Sequence, residues 1–395
     1  MNESPHTITC PRKWPGIRAL LAGLWLAMLC TGCRMPQNGT GAGEPFLRDS
    51  VRSEIQYAAG FTMVRHEGYT CLTVRDPWDT LQTLARYYLY RDKDRLPGDL
   101  PAGIPVRVPV TRTACLFGTD VGMLQTLDVA GTIVAVAEPE FIGDSLIQEG
   151  IRNKRIASLG QAADMNLESL LMSHPEILIV SPFEGSDYAA AEQTGIPLVQ
   201  CVNYMENTPL GRAEWIKFLA AFYDLSDKAD SLFQGIAGRY LQIAAAAAAA
   251  DSRPTVFSEM KYGQTWPVPG GRSYMGCFFR DAGLDYLWRD DLSTGSLVLS
   301  FESVYDKAGE SDFWVIKYHM DGEELTYSQL VRDYVPYSYF KAFRERRIIV
   351  CNTARRPYYE QGLLQPDIVL ADLVRLVHPE LLPGYEPVYF QMMEE

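Results

Sequence analysis

Residues 226–250 read SDKADSLFQGIAGRYLQIAAAAAAA and run into Asp251-Ser252-Arg253-Pro254. Alanine is the best helix former, and the residues before the seven alanines favour helix as well. The run is therefore helix rather than low-complexity linker, with Ser226 as candidate N-cap and Pro254 as the stop. At 1.5 Å per residue the stretch makes a rod of roughly 37 Å, about the width of a small domain. A shorter helical stretch, residues 212–223, leads into it.

Working outward, strand-like and helix-like segments alternate on both sides of the rod. Before it, strands are expected at residues 106–110, 132–137, 176–180 and 198–202, with helices at 122–129, 167–173 and 187–194. After it come strands at 255–259, 313–318 and 348–351 and helices at 275–282, 337–346 and 366–377. Alternation of this kind implies parallel sheets with right-handed crossovers. The fold class is α/β: two parallel-sheet lobes, residues 51–225 and 251–395, joined by one long rigid helix. Residues 55–75, two apolar runs around His66-Glu67-Gly68, read as a hairpin ahead of the first lobe.

The amino terminus is an address. Arg12, Lys13 and Arg18 precede an apolar run at residues 19–29 that ends in Cys30-Thr31-Gly32-Cys33. Such a run is too short to span a bilayer, which takes about 20 residues, and its layout is that of a signal peptide, residues 1–32. Thr31-Gly32-Cys33 resembles a bacterial lipobox, which implies acylation of Cys33; Cys30 stands where that motif usually has Leu, and plain secretion is the alternative. The Cys30/Cys33 pair straddles the cut, so it is no redox motif. Residues 33–50 are then the lipid anchor and a Gly/Pro/Asn-rich tether.

Composition narrows the partners. The formal charge of −13 supplies no basic surface for nucleic acid. The 45 aromatic residues exclude a disordered chain. Cys115, Cys201 and Cys351 lie in or beside apolar runs and read as small buried hydrophobes.

Each lobe carries one copy of a short pattern. Asn166-Leu167-Glu168-Ser169-Leu170 precedes the strand ending at Val180, and Ser300-Phe301-Glu302-Ser303-Val304 precedes the strand beginning at Phe313. The two glutamates are 134 positions apart. With the lipobox, the rod, Gly160-Gln161 and Asp281-Ala282-Gly283, the chain resembles the helical-backbone class of substrate-binding proteins of ABC importers for iron–siderophore chelates, haem and cobalamin. The resemblance covers roughly residues 105–380. It implies a ligand cleft between the lobes, and permease docking through Glu168 and Glu302. It implies as partners the permease subunits in the membrane and a small metal chelate, with the protein a monomer anchored to a bacterial membrane. The ligand is expected to be an iron chelate, siderophore or haem; cobalamin is the alternative within the class.

Enzyme chemistry finds no motif. Gly271-Arg272-Ser273-Tyr274-Met275 lacks the closing Gly of a nucleophile elbow, and there is no H-E-x-x-H, Walker loop or G-x-G-x-x-G. A lipid-anchored hydrolase assembled from distant residues is the alternative of another class. The isolated histidines offer no bare-metal site, and no resident cofactor is expected. Candidate ligand contacts are the loops after strands: Thr119, Phe183 and Tyr204 in the first lobe, and Tyr262, Trp266, Arg272, Tyr274, Arg355 and Arg356 in the second. Loops at the carboxyl ends of parallel strands are where such sheets bind ligands. Aromatic faces and fixed guanidinium charge suit a bulky anionic chelate, with ordinary surface packing the alternative for each residue.

Overall fold

The protein is described by a computed structural model covering residues 54–79 and 81–395. The expected signal peptide, Cys33 and tether lie outside the described residues. No helix among the described residues is long and apolar enough to cross a membrane.

The first segment is more than a hairpin. Strands β1 (Phe61–His66) and β2 (Tyr69–Arg75) turn at Glu67-Gly68, but β3 (Thr83–Tyr90) and β4 (Ile104–Arg107) extend them into a four-stranded sheet. Its inner face, including Phe61, Met63, Leu72, Val74 and Tyr87, is buried. The first lobe proper has β5 (Thr113–Cys115), β6 (Ile133–Val136), β7 (Ala157–Ser158), β8 (Ile177–Val180) and β9 (Leu198–Gln200), all parallel, in the order β7-β6-β5-β8-β9. On β8, Ile177 and Ile179 join one apolar cluster while Leu178 and Val180 join another. That alternation, with every residue apolar, is what a parallel sheet covered on both faces requires.

In the second lobe, β10 (Thr255–Ser258) is followed by β11 (Trp266–Pro269), β12 (Asp285–Tyr286), β13 (Ser296–Leu299), β14 (Phe313–Tyr318), β15 (Ile348–Asn352) and β16 (Gln391–Met392). Its sheet runs β12-β10-β14-β15-β16, parallel until the antiparallel β16, and β11 pairs β13 separately. The carboxylate of Asp372 accepts the N–H groups of Val388, Tyr389 and Phe390, which holds the C-terminal tail in place for β16.

The first lobe's crossover helices are α1 (Gly118–Thr126), α2 (Ser145–Arg152), α3 (Leu167–Met172) and α4 (Ala189–Glu192). Then come α5 (Pro209–Phe222), the rod α6 (Ser226–Ala248), α7 (Tyr274–Asp281), α8 (Phe301–Ala308), α9 (Tyr327–Asp333), α10 (Lys341–Arg344) and α11 (Pro366–Val377). The expected helix over 337–346 is instead a 3₁₀ turn, Val335–Tyr339, followed by the short α10. Ser226 is not the cap of α6. Asp224 takes a left-handed conformation that turns the chain sharply, Leu225 occupies the cap position, and no side chain caps the helix.

Helix α6 belongs to both cores. Its buried residues Ala229, Phe233, Ile236, Ala237, Tyr240 and Ala247 recur at helical spacing along one stripe. At the first-lobe end Phe233 meets the Tyr57 ring, with centroids 5.7 Å apart. At the other end the Tyr240 hydroxyl donates to Asp281 at 2.6 Å, and Arg239 pairs with Asp367 of α11. Gly283 explains the Asp281-Ala282-Gly283 signature: its φ is +74°, and a Cβ there would lie 2.7 Å from the Ala247 carbonyl.

Candidate functional site

In both lobes the strand order reverses beside the first strand, between β5 and β8 and between β10 and β14. A crevice forms outside the carboxyl ends of strands at such a switch point. On the first-lobe side the loops at these strand ends carry the start of α1 with Thr119, half-buried, and Phe183, 53% exposed. Tyr204 is partly exposed, and its hydroxyl donates to the Pro182 carbonyl at 2.7 Å, tying the loops after β8 and β9 together. Exposed Phe141, after β6, adds an aromatic that the sequence reading passed over.

On the second-lobe side Tyr262 is 83% exposed and Arg272 is also exposed. Trp266 is a correction. It has no exposed surface, donates its indole N–H to the Ser258 carbonyl at 3.0 Å and packs among Phe257, Trp314 and Phe340. It begins β11, so it faces the lobe core and not a loop. Arg355 and Arg356 are tied up within their own lobe. Arg355 pairs with Glu324 at 3.0 Å and donates to the Gly322 carbonyl. Arg356 donates to the Val388 carbonyl and the Gln391 side chain, bracing the tail.

Two contacts between the lobes, among the described residues, bear on the site. A π-turn after β15, Tyr358–Gly362, lies against α1, and the Gly143 N–H donates to the Glu360 carboxylate at 3.0 Å. A Cβ on Gly122 would sit 1.9 Å from the Glu360 carbonyl oxygen, so only glycine permits this approach of backbone to backbone. The second point is Arg212 of α5 over Tyr274 of α7, with the guanidinium carbon 4.0 Å from the ring centroid. Glu360 and Arg212 escaped the sequence reading. A signal for Arg212 existed: it is one of three charges, with Glu214 and Lys217, in an otherwise apolar helix.

Asp120, in the first turn of α1, is fully buried. Its Oδ2 is 3.5 Å from the Ser181 hydroxyl, and its Oδ1 has no partner. Burial pushes its carboxyl up to about 7, against the opposing pull of Cys201 and Ser181. Since an unfolded Asp titrates near 3.9, the native state holds a proton that the unfolded chain has lost between about pH 4 and 7. Stability should therefore fall as pH rises through that window, by at most about 1.4 kcal/mol per unit. Urea unfolding across this range should show the slope in the wild type and its loss in Asp120→Asn; an unchanged slope removes Asp120 as its source.

The two glutamates have the same local geometry. Asn166 caps α3 by accepting the Ser169 N–H at 2.9 Å, and Ser300 caps α8 by accepting the Ser303 N–H at 3.2 Å. Glu168 and Glu302 are each the second residue after the cap, and both are exposed. Glu302's carboxyl is held below its usual value by its own backbone N–H and the Ser300 hydroxyl. Each borders a surface groove, Glu168 beside Arg112, Lys154 and Arg155, and Glu302 beside Tyr305 and Lys307.

Residues 114–355, more than half of the chain, match the family described as periplasmic binding protein. The chain belongs to that family. An uncharacterized lipoprotein of Methanocaldococcus jannaschii is 27% identical to this periplasmic binding protein over 72% of this chain and 69% of its own. A solved periplasmic haem-binding protein from Pseudomonas aeruginosa superposes with a TM-score of 0.55 at 17% identity, covering 72% of this chain and 99% of that one. An ABC-type Fe3+-hydroxamate transport system protein from Saccharomonospora viridis gives 0.52 at 18% identity, over 68% and 94%. These likenesses establish the two-lobe fold. The β1–β4 sheet, α11 and the tail that completes β15 with β16 fall outside the residues matched.

Proposed function

We propose that this periplasmic binding protein is the lipid-anchored, substrate-binding component of an ABC importer. It captures an iron chelate, siderophore or haem, in the cleft and delivers it to the permease. The ligand is cargo that leaves unchanged, so the protein works as a binding monomer with neither turnover nor a resident cofactor. The observation that carries the reading is the pair Glu168 and Glu302, one per lobe, exposed at the same position of two similarly capped helix starts. Charged rim residues of this kind steer encounter and set register rather than hold a small ligand. The haem and hydroxamate-transport proteins that share the fold support the choice of an iron chelate.

The test separates capture from delivery. Glu168→Ala with Glu302→Ala should leave chelate affinity, read by tryptophan quenching, within about twofold and abolish uptake in cells. A folded double variant with normal uptake defeats the docking assignment; lost affinity moves both residues into the ligand site. Anchoring is checked on the same cells. Intact mass of the membrane fraction should show a diacylglycerol on Cys33, and Cys33→Ser should release the protein or leave it unprocessed. A wild-type protein without lipid there ends the anchor proposal.

A further inference from the structure

Helix α5 is buried at every position except Arg212, which stands half-buried at the lobe junction. Its surroundings fix it closely. One terminal nitrogen donates to the carbonyls of Tyr204 and Glu206, and the guanidinium face lies on the Tyr274 ring of the other lobe. Two polar atoms are left over. The Arg212 Nε–H is buried without an acceptor, and the Tyr274 hydroxyl is buried without a partner. Burial also pushes the Tyr274 hydroxyl up to about 12, so it stays protonated and able to donate.

No carboxylate among the described residues pairs with Arg212, in a chain carrying 49 acidic residues. Glu360, the acidic residue of the neighbouring π-turn, directs its carboxylate to the Gly143 N–H instead. A half-buried guanidinium held without a counter-ion, beside an unused hydroxyl donor, is costly unless something anionic completes it. The pair also spans the boundary, one donor from each lobe, beside the loop after β9 that carries Tyr204.

We propose that Arg212 and Tyr274 select the charge of the cargo, receiving an anionic oxygen of the chelate between one donor from each lobe. This rests on the cleft being the ligand site, as proposed above. The class of cargo is then a chelate whose periphery or donor set is anionic, a catecholate or a carboxylate, over a neutral hydroxamate. The neutral case is the one such a site disfavours, because a neutral hydroxamate oxygen accepts only the weaker neutral hydrogen bond and leaves the guanidinium without a counter-charge.

Three probes test this by tryptophan quenching: a trianionic ferric tris-catechol complex, haem with its propionates, and neutral ferric tris-acetohydroxamate. The wild type should prefer at least one anionic probe. Arg212→Gln should weaken that probe by about 10- to 100-fold, the range for a lost hydrogen bond to a charged group, and leave the neutral probe within about twofold. Tyr274→Phe, which removes one atom and keeps the ring under Arg212, should weaken the anionic probe several-fold and alone suffices if Arg212→Gln does not fold. Equal losses for charged and neutral probes make the pair structural cement between the lobes and overturn the proposal, as does no loss for any. A wild type that binds no probe overturns the iron-chelate reading itself, whereas one that binds charged and neutral probes alike overturns only charge selection.

Discussion

Glu214→Ala is expected to remove about 3–5 kcal/mol of stability, the range for breaking a buried ion pair from one side. The Glu214 side chain has no exposed surface and lies 3.1 Å from the Lys217 ammonium, itself 2% exposed. Its carboxylate also accepts the backbone N–H groups of Gln56, Tyr57 and Ala58, at 3.0, 2.6 and 2.9 Å. Truncation leaves those donors without their acceptor. It leaves Lys217 the partly exposed Asp230, at 3.1 Å, the Glu54 carbonyl and the Phe233 ring, 4.8 Å from the ammonium to the ring centroid. Domains are typically stable by about 5–15 kcal/mol, so the loss would bring this one near its threshold. Chemical denaturation measures it directly, and Glu214→Gln, which keeps an acceptor oxygen, should fall in between. A loss below about 1 kcal/mol would mean that water or a shifted strap replaces the carboxylate at little cost.

Gly122→Ala should act on the lobe contact. A methyl group 1.9 Å from the Glu360 carbonyl oxygen cannot coexist with the present backbone, and neither neighbour is a flexible side-chain end. Either α1 or the π-turn must move, at a cost of about 1–3 kcal/mol for overpacking. The Gly143 N–H, which donates to Glu360, should then exchange with solvent faster. Gly118→Ala is the control: a Cβ there meets its nearest neighbours at 3.7 Å, an ordinary contact, so exchange at Gly143 should stay slow. If Gly122→Ala changes neither stability nor exchange, α1 and the π-turn are not in contact in solution.

The rod, the two α/β lobes and the matched glutamates were legible in the sequence because each depends on local pattern. Alanine propensity specifies α6 without help from distant residues, and it ends at Ala248, two residues before the alanine run does. Of the β1–β4 sheet the sequence showed the hairpin and a strand at 106–110, which overlaps β4 (Ile104–Arg107) but belongs to this sheet and not to that of the first lobe. The last pairing of the β1–β4 sheet is parallel and joins β3 to β4 across a long loop, and such pairing leaves no short-range turn signal. Trp266 was placed in the loop after β10, because a strand that holds Pro267 and Pro269 carries no clear strand signal. Both prolines instead sit in β11, paired only to β13, the edge setting in which a strand tolerates them. Arg212 was passed over because charge in an apolar helix gains meaning only when the unpaired nitrogen and the facing ring are seen together.

Because α6 is packed into both cores, the helix starts bearing Glu168 and Glu302 are carried by one shared scaffold, and the docking proposed for them would not depend on what fills the cleft. A partner gripping both carboxylates would hold a calliper of constant span, the same on an empty protein as on a loaded one. News of occupancy would have to travel by another route, through the rim loops that carry Phe141, Phe183, Tyr262 and the π-turn. In such a molecule, recognition and readout are separate channels.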